Sequence, residues 1–277
     1  MALSINTNIS SINAQRNLAT SQLALNKSLQ RLSSGMRINT AADDTAGLAI
    51  SENFRGQIRS MNQATRNAND GVSLLQTAEG ALNETSSMLV RMRELAQQAA
   101  TGTIGSTERG YIKSEVDKLS SEIDRISTTT EYNGTKLLNG DLSAVGGMDF
   151  QIGTRNTDND RIGMIIKSAD STTIGIGTIS FATQAAAQTA LTTIDAAIAS
   201  VSQIRGDIGS TQNRLQSTIN NLQVSVENTS AAESRIRDTD VASETASMTR
   251  NNILTQAGTA ILAQANQAPQ AALKLLG

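Results

Sequence analysis

The sequence predicts a mainly α fold: long antiparallel helices with heptad patterning, packed as a coiled-coil or bundle rod, with a small β-hairpin region. Three observations predict it. Apolar residues recur at alternating spacings of four and three over long stretches. Aromatics make up only 2% of the chain (three Phe, two Tyr, no Trp), so few large residues can fill a thick core. Slender helices need only a narrow apolar stripe each. Pro269 is the single proline among 277 residues, which leaves almost the whole chain free of helix breakers.

The strongest pattern predicts a helix over about 44–101. Its stripe runs Ile50, Phe54, Gln57, Met61, Ala64, Ala68, Gly71, Leu75, Ala78, Leu82, Thr85, Leu89, Met92, Ala96, Ala99, weakened only by Gln57, Gly71 and Thr85. The stretch carrying the stripe, 50–99, is about 75 Å long at about 1.5 Å per residue. Gly102 and Gly105 supply a stop. A second helix is expected over about 106–128, with Ser106 as N-cap, Glu108 in its first turn and the stripe Ile112, Val116, Leu119, Ile123, Ile126. The triplet Thr128-Thr129-Thr130 ends it, and Asn133-Gly134 and Asn139-Gly140 are turn signals.

Between about 141 and 181 the period changes to two. Phe150 and Ile152 alternate with polar neighbours, as do Ile162, Met164 and Ile166 beyond the polar stretch 156–160. This predicts a β-hairpin, with further extended pieces around Ile174, Ile176 and Ile179. Helical spacing returns over about 184–235, through Ile194, Ala197, Val201, Ile204, Ile208, Thr211, Leu215, Thr218, Leu222 and onward to Ile236. This last long helix is expected to lie beside the first.

The two ends carry their own stripes. The first 32 residues show Ile5, Ile9, Ile12, Ala19, Leu23 and, adjoining, Leu18, Leu25, Leu29, Leu32. The C-terminal segment shows Leu254, Ile261, Ala265, Ala268, Ala272, Leu275, at gaps of 7, 4, 3, 4 and 3, with Pro269 inside the pattern. So few aliphatic residues do not offset the conformational entropy of ordering an isolated end. The ends are therefore expected to become ordered by docking against other copies of the chain.

Composition excludes several chemistries. There is no His and no Cys, which removes imidazole bases, thiol nucleophiles, disulfides and His or thiolate metal ligands. A net charge of −2 points away from nucleic acid as a partner. No long apolar run predicts a membrane span. The opening MALSINTNISSINAQRNLA lacks the features of a secretory signal, and neither end carries a lipidation motif. A cytosolic protein and a protein exported without a leader would both look like this. Asp43-Asp44 is expected to be helix-start charge. Asn156, Asp158 and Asp160 lack the Gly and final Glu of a calcium loop and are expected to form a polar hairpin turn. No cofactor, metal site or catalytic group is expected.

Two long strings go beyond periodicity. Arg31–Ser51 is RLSSGMRINTAADDTAGLAIS, and Ser234–Pro269 is SRIRDTDVASETASMTRNNILTQAGTAILAQANQAP. With the opening LSINTNISSINAQRNL, they closely resemble bacterial flagellin, over roughly 1–140 and 190–277. The resemblance implies an inner-tube domain made of 1–43 and 236–277, paired as a coiled coil, and an outer-tube rod domain of 44–235. The stretch from about 167 to 190 is too short for an inserted outer domain, so the chain resembles a minimal two-domain form.

The resemblance also implies the function and its partners. The chain would self-polymerise into the extracellular flagellar filament, be exported unfolded by the type III apparatus, and meet an export chaperone at its C-terminal segment. It would assemble beneath the filament cap onto hook-junction proteins. Polymerisation would rest on Ile5, Ile9, Ile12, Leu18, Leu25, Leu29, Leu32, Leu254, Ile261, Leu262 and Leu275. Val90–Gln98 (VRMRELAQQ) and Ile112–Ile126 (IKSEVDKLSSEIDRI) resemble the epitope of the vertebrate flagellin-sensing Toll-like receptor. Carried over by position, Arg91, Leu95, Gln98 and Glu115 would be its contacts, while Val90 and Gln97 depart from the family's pattern. Ser171, Thr172, Thr173 and Thr178 are candidate surface sites for the O-linked sugar that some flagellins carry. The alternatives are a hook–filament junction protein of the same superfamily and a secreted coiled-coil adhesin that does not polymerise. A zinc protease insert, carried by some flagellins, is excluded by the absence of His.

Overall fold

The computed structural model describes residues 7–143 and 147–274, with side chains given as far as 267. Among the described residues there are five α-helices: α1 (Ile9–Ser34), α2 (Thr45–Ala99), α3 (Ser106–Thr129), α4 (Gln184–Arg237) and α5 (Val241–Lys274). Two short hairpins lie between α3 and α4: β1 (Glu131–Tyr132) with β2 (Thr135–Lys136), and β3 (Met148–Gln151) with β4 (Arg161–Met164). The mainly α reading with a small hairpin region is what the structure shows.

The chain divides into two compact units, Met1–Gly56 with Asn228–Gly277, and Gln57–Glu227. The divisions fall within α2 and α4, not in the loops before and after them. The first turns of α2 belong with the ends, and within that unit Arg237 binds Glu52, 2.8 Å away.

In the central unit, one core cluster joins α2, α3, α4 and the hairpins. Every predicted stripe residue of α2 from Met61 to Ala99 is buried. The two weak positions in that run have specific uses. Gly71 makes room for the Phe150 ring, and the buried Thr85 donates its hydroxyl to the Ala81 carbonyl at 3.1 Å. α2 and α4 run antiparallel, linked by Arg93–Asp195 at 2.5 Å and Gln212–Glu79 at 3.2 Å. Arg109 of α3 donates to the carbonyls of Ala99 and Thr101, both at 3.0 Å, satisfying acceptors that the end of α2 leaves open.

The β3–β4 register pairs Phe150 with Ile162, so the alternating residues meet as expected. Asn133 (φ 49°) and Gly134 (φ 79°) form the two-residue turn of β1–β2. Ile174, Ile176 and Ile179 do not form the expected extended strands. Ile174 and Ile176 are buried through a series of tight turns instead, anchored where Ser171 donates its hydroxyl to Asp124 at 2.8 Å. A buried side chain in a turn and one in a strand give the same short apolar signal.

In the terminal unit, α1 and α5 form an antiparallel helical hairpin. Asn8 Nδ2 donates to the Ala265 carbonyl (2.7 Å), Leu18 lies against Gly258, and Arg31 pairs with Glu244 at 3.5 Å. Asn8 caps α1 by accepting from the Ser11 amide, and Gly35 (φ 71°) ends it in the left-handed conformation. Asp240 caps α5 by accepting from the amides of Ala242 and Ser243. At the base, Arg37 N–H donates to the Arg237 carbonyl (2.7 Å) and Thr239 N–H to the Gly35 carbonyl (3.0 Å). Ile38 is the one large apolar side chain fully buried among the described residues of this unit. The described residues of the two terminal segments, expected to become ordered only against other copies, are thus helical and paired, with very little core of their own.

Candidate assembly surface and receptor epitope

Which residues face inward between α1 and α5 decides what the outer surface offers. On α1 the less exposed positions include Ser11, Ala14, Leu18, Ser21, Leu25, Ser28 and Leu32, at gaps of three and four, with Ala24 and Arg31 beside them. On α5 they include Glu244, Met248, Asn251, Thr255, Gly258, Leu262 and Ala265, with the same alternation and Ser247 beside them. These are two heptad seams facing each other. They are built largely from Ser, Ala, Gly, Thr and Asn, which allow close approach but bury little apolar area.

The larger aliphatic side chains are mostly turned outward. Leu23 is 71% exposed, Ile9 66%, Ile253 60% and Ile261 58%, with Ile12, Leu29 and Leu254 about half exposed. An exposed apolar surface of this kind marks an interaction site. Each such residue contributes about 1.5–3 kcal/mol when fully buried.

The predicted polymerisation residues therefore fall into two sets. Leu18, Leu25, Leu32 and Leu262 lie in the intramolecular seam, half-buried. Ile9, Ile12, Leu29, Leu254 and Ile261 face outward. Ile5 and Leu275 lie outside the described residues. The C-terminal apolar stripe combines seam and surface, because Leu254 and Ile261 are one helical position away from Thr255 and Leu262, which face α1. Ile253 is not among the predicted residues. Its signal is its adjacency to Leu254, which widens the apolar face beyond one stripe.

At the base of the hairpin, charged groups fasten the chain. Asp43 accepts from Lys27 Nζ at 2.7 Å and from the amides of Thr40 and Asn39. The Lys27 ammonium above all, then the Thr40 amide, hold its carboxyl well below the usual carboxylate range. Asp44 accepts from the Gly47 amide at 2.8 Å and caps α2. Glu52 is also held low, first by Arg237 and then by Arg55.

On the central unit, Arg91 donates to Glu94 and to Glu115, each at 3.0 Å. The hydrogen bond to Glu94, then the hydrogen bond and charge of Glu115, raise its pKa. Arg91, Gln98 and Glu115 are exposed. Leu95 is not: at 3% exposure it belongs to the core. Four residues along a helix advance the face by about 40°, enough to turn Leu95 into the seam beside Met92 and Ala96. Glu94, not predicted, completes the exposed charged cluster.

The described residues contain no group of three or more His, Cys, Asp or Glu that could hold a metal ion. Asp160 accepts from Thr157 in a tight turn, and Asn156 accepts from Arg161. No helix among the described residues is long and apolar enough to cross a membrane.

Comparison with known families turns this arrangement into an identity. The bacterial flagellin N-terminal helical region matches residues 5–142, and the bacterial flagellin C-terminal helical region matches residues 191–276. The chain belongs to the bacterial flagellin family. This makes the flagellin a structural protein of the extracellular flagellar filament.

This flagellin is similar to flagellin FlaB2 of Treponema pallidum (strain Nichols), with 42% identity over 98% of this chain and 99% of that one. It is similar to the flagellin of Bacillus subtilis (strain 168), with 45% identity over the same shares of the two chains. A Vibrio parahaemolyticus structure, provisionally named a flagellar hook-associated protein, is alike in fold only: 16% identity, TM-score 0.59, 71% of this flagellin and 100% of that chain. The two matched regions leave no room between them for a large inserted domain: 48 residues, 143–190, separate them.

Proposed function

We propose that this flagellin polymerises by burying the outward aliphatic residues of α1 and α5 against the same helices of other copies. The observation that carries this reading is the inversion in the terminal unit. Small and polar residues alternate with a few half-buried Leu in the intramolecular seam, while Ile9, Leu23, Ile253 and Ile261 face solvent. A single chain gains little from such a hairpin, and an array of them gains a core. A seam able to open also suits passage through a narrow export channel in unfolded form. On this reading the flagellar export apparatus, a chaperone on the C-terminal segment, the filament cap and the hook-junction proteins are partners. The domain division 1–43 and 236–277 against 44–235 follows the same logic, as the self-associating and rod-forming parts of the subunit. Catalysis has no part in this mechanism.

Replacing Leu23 and Ile253 with Asp tests it. Seeded polymerisation followed by electron microscopy should give no filaments, while the monomer keeps its helix content by circular dichroism. Filaments of normal length from the double variant would refute the mechanism.

A second surface is proposed for the vertebrate Toll-like receptor that senses flagellin. The exposed Arg91–Glu115 pair with Gln98 supports it, as charged and Arg-centred surfaces make effective contact points. Leu95, buried in the core, then acts by packing beneath that surface.

A further inference from the structure

The sequence contains two Asn-Gly pairs between α3 and β3, at 133–134 and 139–140, and the structure places them in opposite chemical situations. Asn133 and Gly134 are both exposed, and a Cβ built on Gly134 would meet nothing within 4 Å. The hairpin they close has two rungs, Tyr132 with Thr135 and Glu131 with Lys136, so the Gly134 N–H lies outside its ladder. A hairpin of that length opens locally at little cost.

Asn139 is held. Its Nδ2 donates to Asp141 Oδ2 at 2.6 Å, and its Oδ1 accepts from the Asp141 amide at 3.1 Å. Gly140 is half-buried, with its Cβ position 3.3 Å from Ser168 Cβ. The neighbouring backbone is tied by Ala169 N–H to the Leu138 carbonyl and by Ser143 N–H to the Gly140 carbonyl.

We infer that Asn133 is a site of spontaneous succinimide formation and deamidation in the folded protein, while Asn139 is protected from the same reaction. The Gly134 backbone nitrogen, deprotonated by hydroxide, attacks Asn133 Cγ. The N–Cγ bond forms, the Cγ–Nδ2 bond breaks, and Nδ2 leaves as ammonia. Water then opens the five-membered imide at either carbonyl. One opening leaves an ordinary aspartyl residue in place of Asn133, the other an isoaspartyl linkage that routes the main chain through Cβ. No oxidant or reductant is needed, and the net exchange is one water for one ammonia.

Each event adds a negative charge at the turn, and the isoaspartyl product lengthens the loop by one backbone carbon. Lys136, already paired with Glu131 at 2.6 Å, is the nearest cation in the hairpin sequence. The fully buried Leu137 and Leu138 follow directly, so a shifted turn is transmitted to the edge of the core. In a polymer of many copies, modified turns would accumulate with age.

The test is peptide mapping by mass spectrometry of the full-length monomer during incubation at mildly alkaline pH, with isoaspartate detected by its methyltransferase. Asn133 should convert about tenfold or more faster than Asn139, because two hydrogen bonds must break before Asn139 can react. Conversion at Asn139 equal to or faster than at Asn133 would overturn the inference. So would an unchanged Asn133 over a period in which an unstructured peptide spanning 131–141 converts. Asp141→Ala removes the side-chain half of the tether, the amide at position 141 remaining, and should raise the Asn139 rate part of the way towards that of Asn133. A rate at Asn139 that this substitution leaves unchanged refutes the protective role of the contact.

Discussion

Gly71 of α2 lies directly beneath Phe150 of β3: a Cβ at position 71 would sit 2.9 Å from Phe150 Cδ1. A hairpin residue therefore packs against the one glycine interruption in the α2 stripe, and Asn67 fixes it there by donating to the Gln151 carbonyl at 3.0 Å. Gly80, in the same helix, has open space around the same atom. Gly80→Ala should stabilise the central unit by about 0.5–1 kcal/mol through helix propensity. Gly71→Ala should instead destabilise it by about 1 kcal/mol net, since overpacking costs about 1–3 kcal/mol. Urea unfolding of the two variants checks the opposite signs.

Deleting residues 1–32 should abolish polymerisation yet leave the central unit folded, because its core cluster contains no residue from the terminal unit. The cooperative melt of the central unit by circular dichroism should persist. Filaments formed by the truncated chain would contradict the terminal-helix mechanism.

The helix arrangement was legible in the sequence because long heptads state their own period and phase. From Met61 onward the phase read from apolar residues is the buried one. Before that it slips by one position: Ile50 is exposed, and Ser51 is buried with its hydroxyl donated to the Leu48 carbonyl. The same substitution of small for large hides the α1–α5 seam, where Ala14 and Ser28 are the buried residues. Apolar pattern alone marks the largest side chains, and in a chain that assembles these need not face its own interior. Among the candidate hydroxyls for O-linked sugar, Ser171 is buried against Asp124 and is no surface site. Thr172, Thr173 and Thr178 are exposed.

Acid should loosen the base of the terminal hairpin only well below neutrality. Asp43 and Glu52 both have folded pKa values below their unfolded ones. Their stabilising contributions are therefore complete above about pH 5 and are lost as pH falls through the lowered folded values. Asp43→Asn should remove part of this dependence, leaving a flatter acid limb when terminal-unit helicity is followed from about pH 5 downward. An acid limb identical to that of the unmodified chain would contradict the role assigned to the Lys27–Asp43 pair.

For the receptor surface, Arg91→Ala should lower receptor signalling by monomer without changing the melting temperature, since Arg91 is exposed. Leu95→Ala should destabilise the central unit by about 2–5 kcal/mol, as a core truncation does. Any loss of signalling from Leu95→Ala should therefore track unfolding. Full signalling by Arg91→Ala would rule out the proposed contact.

Amide hydrogen exchange, compared between dilute monomer and polymer, addresses the central claim most directly. Amides of α1 and α5 should exchange fast in the monomer and become strongly protected on polymerisation, while the core amides of residues 57–227 stay protected in both. Equal, strong protection of α1 and α5 in the dilute monomer would show that the hairpin is complete in one chain, and would contradict assembly driven by its outward aliphatic residues.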